Sequence, residues 1–159
     1  MRIRAANIEE MKKLWKDSES NTCKYFTEGI ESRNIEFWAI EECGHIVGEL
    51  YIIWNSKDKD EADGLNRAYL CALRVNESFR GKGYSSQLMM TVLNRLRSKG
   101  FKEATIGIDN REYEKLSKIY NSWGFNEHIK SINWDNHARD VENNPIYYKE
   151  PYNLYLCKL

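Results

Sequence analysis

The chain has 159 residues, 42% of them hydrophobic and 30% charged, with only 2 Pro and 9 Gly. That is the composition of a globular protein, neither disordered nor fibrous, and the length predicts one domain spanning residues 1–159. Lys and Arg total 24 and Asp and Glu total 24, so the formal charges cancel, whereas a dedicated nucleic-acid binder normally carries a basic excess.

The N-terminus, MRIRAANIEEMKKLW, holds no apolar run of signal-peptide length. No window approaches the ~18–20 apolar residues of a membrane helix. A cytoplasmic chain without membrane or nucleic-acid partners is expected. Arg2–Ala5 reads as a short opening strand. Asn7 offers a helix N-cap, with Glu9 and Glu10 in the first turn, and Ile8, Met11, Leu14 and Trp15 follow at helical spacing. A weaker helical stretch covers Tyr25–Ser32. Phe37–Glu41 and Ile46–Trp54 read as strands joined by a turn at Cys43-Gly44. In the second, Ile46, Gly48, Leu50, Ile52 and Trp54 should share one face, and Val47, Glu49, Tyr51 and Ile53 the other. Ser56–Gly64 reads as a polar loop. Arg67–Val75, apolar on both faces, reads as a central strand.

Gly83–Lys99 is the clearest helix, with Leu88, Met89, Val92, Leu93 and Leu96 in one stripe and Gly100 as its stop. Ala104–Ile108 is a strand, Glu112–Trp123 a helix and Phe125–Trp134 a strand. Asp135–Asn144 reads as a polar loop and Tyr152–Cys157 as a last strand. Three consecutive strands in the middle favour an α/β chain of the α+β type, its sheet mixed and mostly antiparallel, with helices on its faces. The cysteines (Cys23, Cys43, Cys71, Cys157) and histidines (His45, His128, His137) do not match zinc-ligand spacing, so no metal is expected.

The most informative segment runs from Val75 to Ser86, where a strand ends, a glycine turn follows and a helix begins. Backbone N–H groups at a helix start lack intrahelical partners, and the helix dipole favours an anion there. Gly81 and Gly83 let a ligand approach the backbone, and Arg80 and Lys82 add positive charge. The pattern describes a phosphate site. A triphosphate loop would need Gly-x-x-x-x-Gly-Lys-Ser/Thr, which is absent. The dinucleotide pattern Gly-x-Gly-x-x-Gly fails at Ser86, although Glu103 lies about 20 residues on, as that motif wants.

With Arg80-Gly-Lys-Gly83-Tyr-Ser85 after the central strand, and Ile119-Tyr120-Asn-Ser-Trp-Gly124-Phe125 at the end of a later helix, the chain resembles the GNAT superfamily of acetyl-CoA-dependent N-acetyltransferases. Ser85 replaces the usual Gly or Ala. The resemblance implies the GNAT fold, with about six or seven strands and helices on both faces, and acetyl-CoA as cosubstrate. It implies that the backbone of Leu73, Arg74 and Val75 pairs with the pantetheine arm, and that N–H groups of Gly81, Lys82, Gly83, Tyr84, Ser85 and Ser86, beside Arg80, cradle the pyrophosphate. A cofactor-contacting Asn of the family falls, by counting back from Tyr120, on Tyr113, with Asn110 the nearest asparagine. Tyr120 matches the position that protonates the departing thiolate. A backbone N–H near Val75 would meet the oxyanion.

The implied reaction is acetyl transfer from a thioester to a primary amine of a small molecule or peptide. An amine of pKa near ~10.4 must lose a proton before attack, so a base or a water chain is needed. Some protein-acetylating relatives carry a strand Glu where this chain has Arg67. Glu49, Asp109 or an ordered water remain as the base. The acids of Ser56–Gly64 could attract a cationic amine, and Trp54, Tyr51, Tyr69 and Trp134 could wall an acceptor cleft. A homodimer is compatible with the resemblance. Two other readings stand beside the enzyme: a non-catalytic acyl-CoA-binding sensor on the same fold, and a nucleotide-binding regulator.

Overall fold

The computed structural model describes residues Met1–Leu159. Strand β1 (Arg2–Ala6) leads into helix α1 (Ile8–Leu14). Asn7 closes a reciprocal cap there: its side chain accepts from the Glu10 N–H, and the Glu10 carboxylate accepts from the Asn7 N–H. Helix α2 (Asn21–Glu31) begins earlier than its apolar pattern predicts, because Ser20 caps it through the Cys23 N–H. Strands β2 (Ile35–Glu42), β3 (His45–Ile53) and β4 (Arg67–Val75) follow as successive antiparallel neighbours. Helix α3 (Tyr84–Ser98), strand β5 (Glu103–Asp109), helix α4 (Tyr113–Ser122) and strands β6 (Glu127–Arg139) and β7 (Pro145–Lys158) complete the chain.

The strands form a single seven-stranded sheet in the order β1-β2-β3-β4-β5-β7-β6. Only β4 and β5 run parallel. Each sheet face buries its own apolar cluster. Helices α3 and α4 pack over Ile40, Leu50, Ile52, Leu70, Ile106 and Ile108. Helices α1 and α2 cover the opposite cluster, around Phe37, Tyr51, Ile53, Tyr69 and Leu154. Mixed pairing and helices on both faces accord with the fold expected from the sequence.

Three expectations change. The face assignment in β3 holds from Leu50 onward but reverses at its start. A bulge opposite Ile40 and Glu41 inserts one residue, so Val47 joins the α3 side and Ile46 the α2 side. The segment Asp135–Asn144 is largely strand. Strands β6 and β7 continue past the rest of the sheet as a hairpin, with Arg139 opposite Pro145, because each supplies the other's backbone partners whatever the side chains. Tyr152–Cys157 is accordingly only the end of β7. No helix is long and apolar enough to cross a membrane.

Candidate active site

The parallel pairing of β4 with β5 runs from Arg67 opposite Glu103 only as far as Leu70 opposite Ile106. Beyond it, the edge of β4 from Cys71 to Val75 pairs with no strand on its β5 side, and the sheet opens. Leu73, Arg74 and Val75 all lie on this open stretch. A bulge precedes them, since Tyr51 faces Cys71 while Glu49 faces Arg74. Its strained residue is Ala72, with φ of 56°. A non-glycine residue held there costs about 1–3 kcal/mol, a strain that tends to persist at functional positions.

On the α3 side of the opening stands the glycine loop. Gly81 and Gly83 have φ of 75° and 78°, which suit glycine. Helix α3 starts at Gly83 with no side-chain cap. Every backbone N–H from Gly81 to Ser86 lacks a partner within the protein. A Cβ at Gly81 would meet no atom within 4 Å, so the cradle is open space. Arg80 donates from Nε to the Val75 carbonyl at 2.9 Å, fixing the loop to the end of β4. Lys82 lies over the Phe79 ring at 5.1 Å, and Tyr84 donates to Glu42 at 2.9 Å. Ser86 Oγ accepts from Trp123 Nε1 at 3.2 Å, tying α4 to the first turn of α3 and leaving the hydroxyl proton free. A row of unbonded amides at a helix start fits a pyrophosphate.

Tyr120 lies in α4 on the same side. It is 8% exposed, stacked on Trp123 at 5.5 Å and set edgewise against Phe125 at 6.5 Å. Its hydroxyl bonds to no protein group, yet no buried side-chain oxygen goes unpartnered, so this oxygen reaches solvent. Burial pushes the phenol up to about 12. Asn110 and Tyr113 stand just past β5. Asn110 accepts from the Asn153 amide of β7, and the Tyr113 hydroxyl meets that of Tyr155 at 2.6 Å.

On the α2 side of the opening is a cleft of about 710 Å³. Its walls come from α2 and its lead-in (Trp15, Phe26), from β4 and β5 (Tyr69, Cys71, Arg74, Asp109) and from the β6–β7 hairpin (Asp135, His137, Tyr148, Tyr152). Glu49 lies beneath Arg74, 8% exposed, and meets its guanidinium at 3.3 Å. The Tyr51 hydroxyl donates to Glu49 at 3.1 Å and accepts from Trp15 Nε1 at 3.3 Å. Burial raises the Glu49 carboxyl, against the lowering effects of Arg74 and the Tyr51 hydroxyl. Asp109 differs: the Arg111 side chain bonds it at 2.7 Å and holds its pKa below the usual value. Of the two carboxylates, Glu49 is the stronger base. Burial also pushes the Cys71 thiol up, so it lines the cleft as a neutral group.

Several sequence expectations fail here. Of the four proposed cleft aromatics, only Tyr69 lines the cleft. Tyr51 is fully buried beneath it, and Trp54 packs on Phe101 across the sheet. Trp134 lies on the hairpin surface against Tyr147. The acids of Ser56–Gly64 serve internal bonds. Asp58 and Asp60 both meet Lys130, and Asp63 accepts backbone N–H groups from Leu65, Asn66 and Arg67. Glu61 is 0% exposed. It accepts from Ser56 Oγ at 3.1 Å and the Tyr152 hydroxyl at 3.2 Å, and meets His137 Nε2 at 2.6 Å. Arg67 pairs with Glu103 at the closed end of the β4–β5 pair.

His137 and Asp135 were not singled out from the sequence. His137 Nδ1 meets the Tyr25 hydroxyl at 2.8 Å, and its ring stacks on Tyr69 at 5.1 Å. No local signal marks either residue, since both lie in a stretch that reads as a polar loop.

Residues 2–125 match the profile of the Acetyltransferase (GNAT) family. N-acetyltransferase family 8 member 2 of Rattus norvegicus is 29% identical over 89 residues, a match covering 56% of this chain and 38% of that protein. Among solved structures, a GNAT family acetyltransferase from Elizabethkingia anophelis with acetyl-CoA bound aligns with a TM-score of 0.66. It shares 17% identity, over 99% of this chain and 97% of that one. An aminoglycoside 6'-N-acetyltransferase complexed with coenzyme A aligns with a TM-score of 0.66 at 12% identity, over 99% and 97% of the two chains. At such identities these likenesses carry the fold alone.

Proposed function

The chain belongs to the acetyltransferase (GNAT) family, and on that premise we propose that it moves the acetyl group of acetyl-CoA to a primary amine of a small molecule or peptide by direct attack on the thioester. The observation that carries this reading is the row of unbonded amides from Gly81 to Ser86 beside the unpaired edge of β4. When bound, acetyl-CoA supplies an activated thioester. The glycine-loop amides and Arg80 hold its pyrophosphate, and Leu73, Arg74 and Val75 offer backbone bonds to its pantetheine arm. Asn110 and Tyr113 make further contacts with it.

On the α2 side, Glu49 takes the proton of the attacking amine through water, because Arg74 covers it. The nitrogen bonds to the thioester carbon, a backbone N–H near Val75 receives the oxyanion, and the carbon–sulfur bond then breaks. Tyr120 hands its proton to the departing sulfur and recovers one from solvent. The opening between β4 and β5 joins the two sides, so amine and thioester approach from opposite faces of the sheet.

The test is calorimetric titration with CoA, followed by thiol release from acetyl-CoA across a panel of amines. CoA binding with amine-dependent release is expected. One observation favours the sensor reading: both candidate carboxylate bases sit in ion pairs. Tight CoA binding with no release for any amine would establish that reading instead. A rise in melting temperature with NAD or ATP but not with CoA would overturn both.

A further inference from the structure

Within the acceptor cleft, charges mostly cancel in pairs. Arg74 meets Glu49, and Arg111 meets Asp109. Lys149 and Glu150 are exposed neighbours at the rim. Asp135 is different: it is half-buried, lines the cleft and takes part in no ion pair. Its Oδ1 accepts from the backbone N–H groups of His137 at 2.9 Å and Ala138 at 3.1 Å, and its Oδ2 accepts from the Tyr148 hydroxyl at 2.8 Å.

This carboxylate is rigidly held. The Glu61–His137–Tyr25 chain of hydrogen bonds pins the next turn of backbone against the β3–β4 connection and α2. The His137 ring nitrogens are both occupied, so this histidine positions the strand. Around Asp135 the walls are aromatic: Trp15, Phe26, Tyr69, Tyr148 and Tyr152. A fixed anion with no cation within salt-bridge distance, set among aromatic faces, is a site for an organic cation.

A carboxylate close to an amine favours its charged form. The attacking nitrogen must be neutral, so the cation held here is a different nitrogen of the same molecule. Resting on the acetyltransferase reading above, we propose that Asp135 anchors a second, cationic nitrogen of the acceptor, and that the acceptor is therefore a diamine or larger molecule with at least two basic nitrogens. A cleft of about 710 Å³ has room for one, since small-molecule sites span about 300–1,000 Å³.

The experiment compares alkyl monoamines with their terminal diamines, from propyl to octyl chain length, by thiol release. It uses the wild type, Asp135→Asn and Tyr148→Phe, with CoA titrations as a check on the cofactor side. Asp135→Asn keeps the acceptor oxygen for both backbone N–H groups but loses the charge and the acceptor that the Tyr148 hydroxyl uses, while Tyr148→Phe removes that same hydrogen bond and keeps the charge. The wild type and Tyr148→Phe should favour diamines on the order of tenfold in kcat/KM, through KM. Asp135→Asn should lose that preference while binding CoA unchanged. An active wild type with no diamine preference, or a preference that survives in Asp135→Asn, would overturn the assignment. A wild type that binds CoA yet releases no thiol with any amine would overturn the transferase reading itself.

Discussion

Tyr120 keeps its proton because burial makes the phenolate costly. With a pKa near 12 it is protonated across the working range, but it is a reluctant donor to a thiolate whose own pKa is about 8.5. Its contribution should fall at the low end of the ~10²–10⁴-fold that general acids supply. Tyr120→Phe should lower kcat about 10²-fold and leave the Kd for acetyl-CoA unchanged. An unchanged kcat would remove this hydroxyl from the mechanism. Glu49 carries a second prediction. Its pKa is raised by burial, so kcat/KM should fall on the acid side with a midpoint above the ordinary carboxylate value. Glu49→Gln should remove that limb together with about 10²-fold of kcat. The sign for stability is opposite to that of a stabilising ion pair. A carboxyl raised on folding favours the folded state when protonated and opposes it once ionised, so the Gln variant should melt no lower at neutral pH. A limb that persists in the variant would remove Glu49 as the base.

At the scale of elements, the glycine loop was legible because each part of its signal is local. A strand end, glycines at positive φ and an uncapped helix start all lie within a few residues, and the structure joins them as the sequence predicts. Gly83→Val should strain a left-handed position by about 1–2 kcal/mol and place a branched side chain among the free amides. Calorimetry should then show CoA binding lost, with only a modest fall in Tm. Retained binding would mean that these amides do not hold the cofactor. The β6–β7 hairpin was not legible. Asp135–Asn144 is polar, and polarity reads as loop. The strands nevertheless extend there because two chains that face each other satisfy their backbone groups without a buried face. The bulges at Val47 and Ala72 were equally hidden, since an inserted residue shows itself only against a partner strand.

At the scale of the molecule, Glu61 joins four parts of the chain. Its carboxylate gathers Ser56, His137 and Tyr152, and its backbone carbonyl accepts from Thr105 Oγ1 at 2.6 Å. His137→Ala would leave a fully buried carboxylate short of a donor, which for a charged acceptor costs about 3 kcal/mol. For a chain of this size that is a fall in Tm on the order of 10 °C, readable by calorimetry. A fall of only a degree or two would show that solvent enters and replaces the histidine.

Sequence alone determined the periodic helices, the central strands, the glycine loop and the position of Tyr120. Caps, glycines and apolar repeats act over one or two turns, so their physics is written in adjacent residues. Tertiary structure alone decided the cleft on the α2 side. His137 and Glu61 lie 76 positions apart, and His137 and Tyr25 lie 112 apart. A buried hydrogen bond between distant residues leaves no local pattern. The same holds for Asp135, whose lack of an ion-pair partner depends on what the fold brings near it and what it leaves out.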